Sequence, residues 1–381
     1  MTFENVKAAK GTHLEIQEHE KIVLHNGLRF LPTATDGAAV KAIATPTATD
    51  GASDIITVEN LVKVYPGGTR AVDEISFSVR EGEFFGFLGP NGAGKSTTIQ
   101  VLTTLLKKTS GSVTVAGYDV DIDAREIREV IGVQRQETIL DGDLTGRENL
   151  TLQGHLQRLH GTALKKRVDE LLTLVELSDV ADKRAAQYSG GMKKRLDLAS
   201  TLVHKPRVLF LDEPTSGLDP QSRVAIWDHL ETLNRDEGVT VFLTTQQMEE
   251  ADRLCHRLAI LDHGEIVVSG SPVELKHQLG GDTITMSFAN SDSGVKDRSK
   301  RLVNGIQGVT KVLDSETGLA AYAKNASALV PDIVRLFDEN EIRLTSISVA
   351  SASLDDVFLQ HTGRRIRSEE LSKVDTWKPY M

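Results

Sequence analysis

The residues best suited to do chemistry form one short segment, Gly89 to Thr97, with the sequence GPNGAGKST. It fits the phosphate-binding pattern G-x-x-x-x-G-K-[ST], in which the glycines let successive backbone N–H groups converge on phosphate oxygens. Lys95 would reach the β- and γ-phosphates, and the Ser96 hydroxyl would ligate Mg²⁺. The pattern therefore predicts a site for a nucleoside triphosphate with Mg²⁺.

A second candidate group is a pair of carboxylates, Asp212 and Glu213, which ends the apolar run from Val208 to Leu211. Asp212 is placed to hold Mg²⁺, and Glu213 could polarise an attacking water as a general base. Paired acids at a strand end are often only solvated loop residues. The phosphate loop earlier in the chain favours the catalytic interpretation.

The segment Tyr188 to Met192, with the sequence YSGGM, opens a helix. A serine followed by two glycines leaves the N–H groups of the first turn uncovered, and such a helix start binds anions. The alternative is a simple N-cap, which accounts for Ser189 but not for both Gly190 and Gly191.

Two single residues are weaker candidates. Tyr65 lies at a strand end before the phosphate loop, where its ring could stack on a nucleotide base, although a tyrosine in this position, taken alone, is more often a packing residue. Gln136 follows the short apolar step from Val130 to Val133. Taken alone, it is an ordinary loop residue.

The surrounding elements must hold these groups together. Residues 83–88 are apolar enough for a buried strand before the phosphate loop, and a helix is predicted after it from the spacing of Ile99, Leu102, Leu105 and Leu106. From Asp54 onward, strands and helices alternate as far as the strand 240–245, which ends at Gln246. The alternation indicates an α/β fold around one nucleotide site.

Residues 147 to 187 are predicted to be helical. The predicted buried positions of this stretch are Leu150, Leu156, Leu159, Val168, Leu171, Leu172 and Val175.

Composition limits the range of functions. The 381 residues carry a net charge of −10, which argues against nucleic acid as the main partner because such proteins usually present a basic surface. No run of about 18 apolar residues occurs, so we expect no membrane-spanning helix, and the N-terminus lacks the features of a secretory signal. The single cysteine, Cys255, excludes an intrachain disulfide.

Both ends of the chain differ from its centre. Residues 1–53 contain the repeated segment PTATDGA and are predicted to be a flexible extension. Residues 54–280 form the predicted nucleotide-binding domain. Beyond Gly280 the order βαββαβ indicates a small ferredoxin-like domain over residues 281–361, followed by a tail at 362–381.

Residues 54 to about 280 resemble the ATPase subunit of an ABC transporter without a gap. The resemblance implies a P-loop ABC ATPase domain with a helical subdomain, ATP and Mg²⁺ as ligands, and ATP hydrolysis as the activity. Its nucleotide-binding residues would be Tyr65, Gly89, Pro90, Asn91, Gly92, Ala93, Gly94, Lys95, Ser96, Thr97, Gln136, Ser189, Gly190, Gly191 and Asp219.

The same resemblance assigns roles within this set. Tyr65 would stack on adenine, Ser189 to Met192 would be the signature motif, and Asp219 the D-loop aspartate. Ser96, Gln136 and Asp212 would hold Mg²⁺, while Glu213 and Gln246 would be catalytic.

Two further segments, LTGRENL at 144–150 and LDDVF at 354–358, resemble the daunorubicin-resistance branch of multidrug exporters. Most of the wider family has histidine where this chain has Gln246, although glutamine is common in that branch. An amide cannot relay a proton as imidazole can, so Gln246 can only donate a hydrogen bond or position water.

The resemblance implies export of a drug-like or other hydrophobic compound through a separate membrane permease, with the chain at the cytoplasmic face of the membrane. Since one chain carries one copy of each motif, a second copy is required for a nucleotide-sandwich dimer. The alternative is an ABC ATPase that acts on a macromolecular complex without a permease. A regulatory module without turnover is disfavoured because Glu213 is present.

Overall fold

The structure is a computed structural model that describes residues 53–288, 293–315 and 318–363. The predicted extension at 1–53, except for Ser53, and the tail beyond residue 363 lie outside these residues. The strands are β1 (Asp54–Val64), β2 (Arg70–Arg80), β3 (Phe84–Leu88), β4 (Ser110–Val115), β5 (Tyr118–Asp119), β6 (Ile131–Gln134), β7 (Val208–Asp212), β8 (Thr240–Thr245), β9 (Arg257–Asp262), β10 (Glu265–Gly270), β11 (Asp282–Phe288), β12 (Val309–Ser315), β13 (Gly318–Ala323) and β14 (Leu344–Ala350).

The helices connect these strands as the alternating pattern predicts. They are α1 (Lys95–Leu102), α2 (Ala124–Val130), α3 (Gly146–Leu156), α4 (Gly161–Leu174), α5 (Gly190–Thr201), α6 (Pro220–Glu237), α7 (Met248–Leu254), α8 (Pro272–His277), α9 (Ser293–Asn304), α10 (Ala326–Glu339) and α11 (Leu354–Thr362). Within the part of the chain that the structure describes, none of these helices is long and apolar enough to cross a membrane.

A six-stranded sheet in the order β10-β9-β3-β8-β7-β6 is the centre of the fold. Strands β9, β3, β8, β7 and β6 are parallel, and β10 is an antiparallel edge. The carboxyl ends of β3, β8, β7 and β6 therefore share one edge, which is where α/β sheets bind ligands. The predicted site residues at these strand ends are brought together by this topology.

The core lies on both faces of this sheet. In β3 the side chains alternate, so Phe84 and Leu88 join the cluster under the helices, while Phe85 and Phe87 face a second sheet, ordered β2-β1-β4-β5. The ring centroids of Phe85 and Phe87 lie 5.8 and 5.0 Å from that of Phe242. This packing fixes β3, and with it the start of the phosphate loop.

The helical part differs from the sequence prediction in two respects. The stretch predicted to be helical, 147–187, contains two helices, α3 and α4, but after α4 only two short 3₁₀ turns follow. Leu156, predicted to be buried, is 70% exposed at the end of α3. Its apolar spacing places it on a face that no described element covers.

The helix after the phosphate loop is shorter than its apolar spacing predicts. It ends at Leu102, and Thr104 takes a left-handed conformation with φ of 60°. The chain therefore turns away, and Leu105 is 60% exposed instead of lying on the buried face of the helix.

The C-terminal elements follow the predicted order βαββαβ, and their antiparallel sheet is ordered β12-β13-β11-β14. This is the strand order of a ferredoxin-like fold, with α9 and α10 packed on one face. Helix α11, which was not predicted from the sequence, packs against α7, α8 and β10. Independent folding of residues 281–361 stays a prediction.

Candidate nucleotide site

Two glycines shape the phosphate loop because other chain segments approach it closely. A Cβ on Gly89 would lie 2.4 Å from the carbonyl oxygen of Leu261, and one on Gly94 would lie 2.5 Å from that of Ala71. Gly94 also has φ of 105° as the N-cap of α1, which disfavours a side chain. The loop thus turns directly into a helix start, the arrangement that binds phosphate.

The Lys95 side chain is folded back into this loop. Its Nζ donates hydrogen bonds to the carbonyl oxygens of Gly89 at 2.8 Å and Pro90 at 3.0 Å, and it lies 3.5 Å from Glu213 Oε1. Burial lowers the pKa of Lys95, while the charges of Glu213 and Asp212 oppose that shift. The ammonium therefore lies between the loop and the carboxylates, where it can contact phosphate oxygens.

Two polar side chains contact Asp212, and a third contacts its neighbour Glu213. Its Oδ1 accepts hydrogen bonds from Ser96 Oγ at 3.0 Å and from Thr244 Oγ1 at 2.6 Å. The Gln136 amide, predicted to be a further Mg²⁺ ligand, contacts the neighbouring Glu213. Hydroxyl, carboxylate and amide oxygens are the hard donors that Mg²⁺ prefers, so this donor set fits the ion.

Glu213 is held in a restricted conformation. Its φ of 50° is left-handed, which costs a residue other than glycine roughly 1–3 kcal/mol. A backbone hydrogen bond from its N–H to Thr244 O, 3.0 Å long, stabilises this conformation. The buried carboxylate accepts a 3.4 Å hydrogen bond from Gln136 Nε2. A carboxylate so oriented beside Lys95 suits the role of general base.

Gln246 follows β8 at the same sheet edge. The preceding residue, Thr245, is paired with Leu88 at the end of β3, directly before the phosphate loop. Gln246 is half-buried, and among the described residues its side chain makes no hydrogen bond. Its amide is therefore available to donate to a ligand.

Tyr65 lies next to α1. Its hydroxyl is 3.3 Å from Thr97 Oγ1, and the Lys63 ammonium lies 5.4 Å from the centroid of its ring. The structure thus places the aromatic ring near the phosphate loop, as its predicted role in base stacking requires.

The predicted signature segment lies on α5. Ser189 is the N-cap of this helix and accepts a hydrogen bond from the Met192 N–H at 3.2 Å, so the capping interpretation also holds for this serine. A Cβ on Gly191 would lie 2.6 Å from Ser222 Oγ, whereas one on Gly190 would have ample space. Packing against Ser222 therefore explains why residue 191 is glycine, but it does not explain why residue 190 is glycine.

Asp219 is linked to the signature segment through Ser222. It is the N-cap of α6 and accepts hydrogen bonds from the Ser222 N–H at 2.9 Å and from Ser222 Oγ at 2.6 Å. Within the described ranges no hydrogen bond joins the signature segment or Asp219 to the phosphate loop. The structure thus brings Gln136 together with Lys95, Ser96, Asp212 and Glu213 within one chain, but not the signature segment.

Sequence reasoning missed several groups that hold these residues. Thr244, one position before the end of β8, was treated only as part of a strand, although its hydroxyl orients Asp212. Lys194 and Asp197, both buried on α5, were also missed. A lysine and an aspartate three positions apart on a helix usually face solvent, so the sequence carries no signal for their burial.

The chain is similar in sequence to known proteins. The family model described as ABC transporter matches residues 72–216. Over 81% of its length the chain is 41% identical to the daunorubicin/doxorubicin resistance ATP-binding protein DrrA of Streptomyces peucetius, covering 92% of that protein. It is 39% identical over 82% of its length to the linearmycin resistance ATP-binding protein LnrL of Bacillus subtilis, covering all of that protein.

The fold is also similar to solved structures. A dimeric ATP-binding cassette in a post-hydrolysis state, bound to ADP and Pi, superposes with a TM-score of 0.52 and 30% identity. The match covers 57% of this chain and 98% of that cassette.

Proposed function

Because this chain is an ATP-binding subunit of the ABC transporter family, we propose that it hydrolyses ATP to power export of a drug-like or other hydrophobic compound through a separate membrane permease. The observation that carries the proposal is the convergence of Lys95, Asp212 and Glu213 at one sheet edge, with Lys95 and Glu213 only 3.5 Å apart. That spacing suits an amine that binds phosphate and a carboxylate that receives a proton from water.

Each side chain has a separate task in this reaction. Lys95 exchanges its bonds to the loop carbonyls for phosphate oxygens, and the glycine-rich loop offers its N–H groups to the same phosphates. Glu213 orients the attacking water and accepts its proton. Gln246 donates a hydrogen bond to the γ-phosphate.

Ser96, Asp212 and Gln136 would hold Mg²⁺. When bound, the ion would neutralise charge on the phosphate oxygens. The Thr244 hydroxyl keeps the Asp212 carboxylate oriented for this task.

We further propose that two copies share each nucleotide. Ser189 to Met192 of one copy would contact the γ-phosphate held by Lys95 of the other, since the two segments make no hydrogen bond within one chain. Mixing a Lys95→Ala chain with a Ser189→Arg chain would create one site with both defects and one with neither. Recovery of activity in the mixture is expected, whereas activity in dilute monomeric Ser189→Arg protein would contradict the shared site.

The relatives suggest the transport context. Their names describe resistance to daunorubicin, doxorubicin and linearmycin, and another relative, from Sinorhizobium fredii, is a Nod factor export protein. These names include several different compounds, as expected when a permease selects the compound. The chain would then act at the cytoplasmic face of the membrane.

The test compares two variants of the full chain. Glu213→Gln keeps the shape of the side chain but removes the base, so ATP should still bind while hydrolysis falls sharply. Lys95→Ala should weaken ATP binding itself. Wild-type hydrolysis by Glu213→Gln would show that Glu213 is not the base. Co-purification from membranes then identifies the permease.

A further inference from the structure

Two oppositely charged side chains of α5, Lys194 and Asp197, are buried against the segment that follows β6. Their exposed fractions are only 7% and 6%. Charged side chains at this level of burial are uncommon unless they are paired or hydrogen-bonded, because removing them from water is costly. The hydrogen-bond partners of Lys194 and Asp197 therefore indicate which segment these buried side chains hold in place.

The contacts all lead to residues 134–139. Lys194 Nζ donates to the carbonyl oxygen of Gln136 at 2.5 Å. Gln134 Nε2 donates to Asp197 Oδ2 and to the carbonyl oxygen of Lys194, both at 3.2 Å. The backbone N–H of Ile139 also approaches the Asp197 carboxylate. Gln136 is thus anchored on both sides by one turn of α5.

The charge of Lys194 is also influenced by the reaction site, because the carboxylates of Asp212 and Glu213 act on it together with that of Asp197. Its hydrogen-bond partner Gln136 donates in turn to Glu213. A continuous line of polar contacts therefore joins α5 to the general base.

We propose that Lys194 is a positioning residue for ATP hydrolysis: its hydrogen bond to the Gln136 carbonyl keeps the Gln136 amide beside Glu213 and within reach of Mg²⁺. The inference rests on the proposed function. It also links the two sites of a dimer, since Ser189, the N-cap of α5, would contact the nucleotide of the other copy.

The experiment measures kcat and KM for ATP in the full chain. Lys194→Met keeps length and removes the charged donor, and it should lower kcat roughly 10- to 100-fold with KM changed less than about threefold, the pattern expected when catalysis is impaired more than binding. Lys194→Arg, which keeps the donor, should retain most activity. The matched control is Lys193→Met, because Lys193 makes no side-chain hydrogen bond in the described chain.

A double substitution separates positioning from general destabilisation. If Lys194 acts through Gln136, then Lys194→Met should lower kcat by less than about twofold in a Gln136→Ala background. Losses that multiply in the double variant would overturn the proposal, as would wild-type kcat in Lys194→Met. Lys194→Gln, which is neutral but polar, is measured in parallel in case Lys194→Met does not fold.

Hydrogen exchange tests, without relying on activity, whether Lys194 anchors the segment that contains Gln136. Amides of residues 135–140 should exchange about tenfold faster in Lys194→Met than in Lys193→Met, because the segment loses its anchor. Equal exchange rates in both variants would show that Lys194 does not anchor this segment. A wild-type chain without ATPase activity would instead refute the proposed function, and the exchange comparison would still decide on the anchor.

Discussion

The two adjacent glycines of the signature segment should respond oppositely to the same substitution. In Gly191→Ala the new methyl group would lie 2.6 Å from Ser222 Oγ and 3.0 Å from Ser222 Cβ. The first distance is shorter than real Cβ contacts and the second is at their lower limit, so Ser222 or one of the two helices must shift, and overpacking of this kind costs about 1–3 kcal/mol of unfolding free energy. In Gly190→Ala the nearest atom, Leu218 Cδ2, is 4.0 Å away, and alanine favours the helix by up to roughly 1 kcal/mol.

Urea unfolding of the full chain measures this difference. With a denaturant slope of roughly 3 kcal/mol per molar, the midpoint of Gly191→Ala should fall by about 0.3–1 M, while that of Gly190→Ala should equal or exceed the wild-type value. A Ser222→Gly background supplies the control. There the clash is absent, so Gly191→Ala should cost almost nothing further.

Equal midpoints for Gly190→Ala and Gly191→Ala would refute this reasoning. The reasoning would also be refuted if Gly191→Ala lowered the midpoint as much in the Ser222→Gly background as in the wild-type chain. Either outcome would mean that the close approach of α5 and α6 does not constrain position 191, and that its glycine serves phosphate contact alone.

Three further predictions concern other parts of the chain. Gln246→Ala should slow hydrolysis roughly 10- to 100-fold because a charge-assisted hydrogen-bond donor is lost. Gln246→His should stay active with an added pH dependence. Steady-state ATPase assays from pH 6 to 8 measure both effects. Removal of residues 1–53 should leave ATP turnover unchanged, since their composition offers no phosphate ligand, and loss of activity in that truncation would contradict the expectation. Burial lowers the pKa of His204 below its ordinary 6.5, so the unfolded chain takes up a proton at a higher pH than the folded chain does. The free energy of unfolding should therefore decrease as the pH falls below about 6.5. Urea unfolding at several pH values should show a weaker pH dependence for His204→Gln than for the wild-type chain.

The sequence predicted most reliably those parts whose chemistry is local. The glycines and Lys95 of the phosphate loop can be recognised because the loop is one continuous segment between a strand and a helix. Asp212 could be placed because an apolar strand ends there. The alternation of strands and helices then gave the α/β fold without further information.

Contacts between distant segments could not be predicted. Leu156 has the spacing of a buried residue, but spacing alone does not show whether a second element covers the helix face. The burial of Lys194 depends on the position of Gln136, which lies in the loop after β6. The close approach of Gly191 to Ser222 likewise depends on how α5 and α6 cross.

The packing of α11 has a consequence for the biosynthesis of the chain. Its Leu354, Val357 and Phe358 belong to the same apolar cluster as Ala251 of α7 and Leu275 of α8. Chains generally fold from the N-terminus during synthesis. The face formed by α7 and α8 therefore emerges from the ribosome well before the helix that covers it. We expect the nucleotide-binding part to keep this apolar face open to chaperones until α11 has been translated.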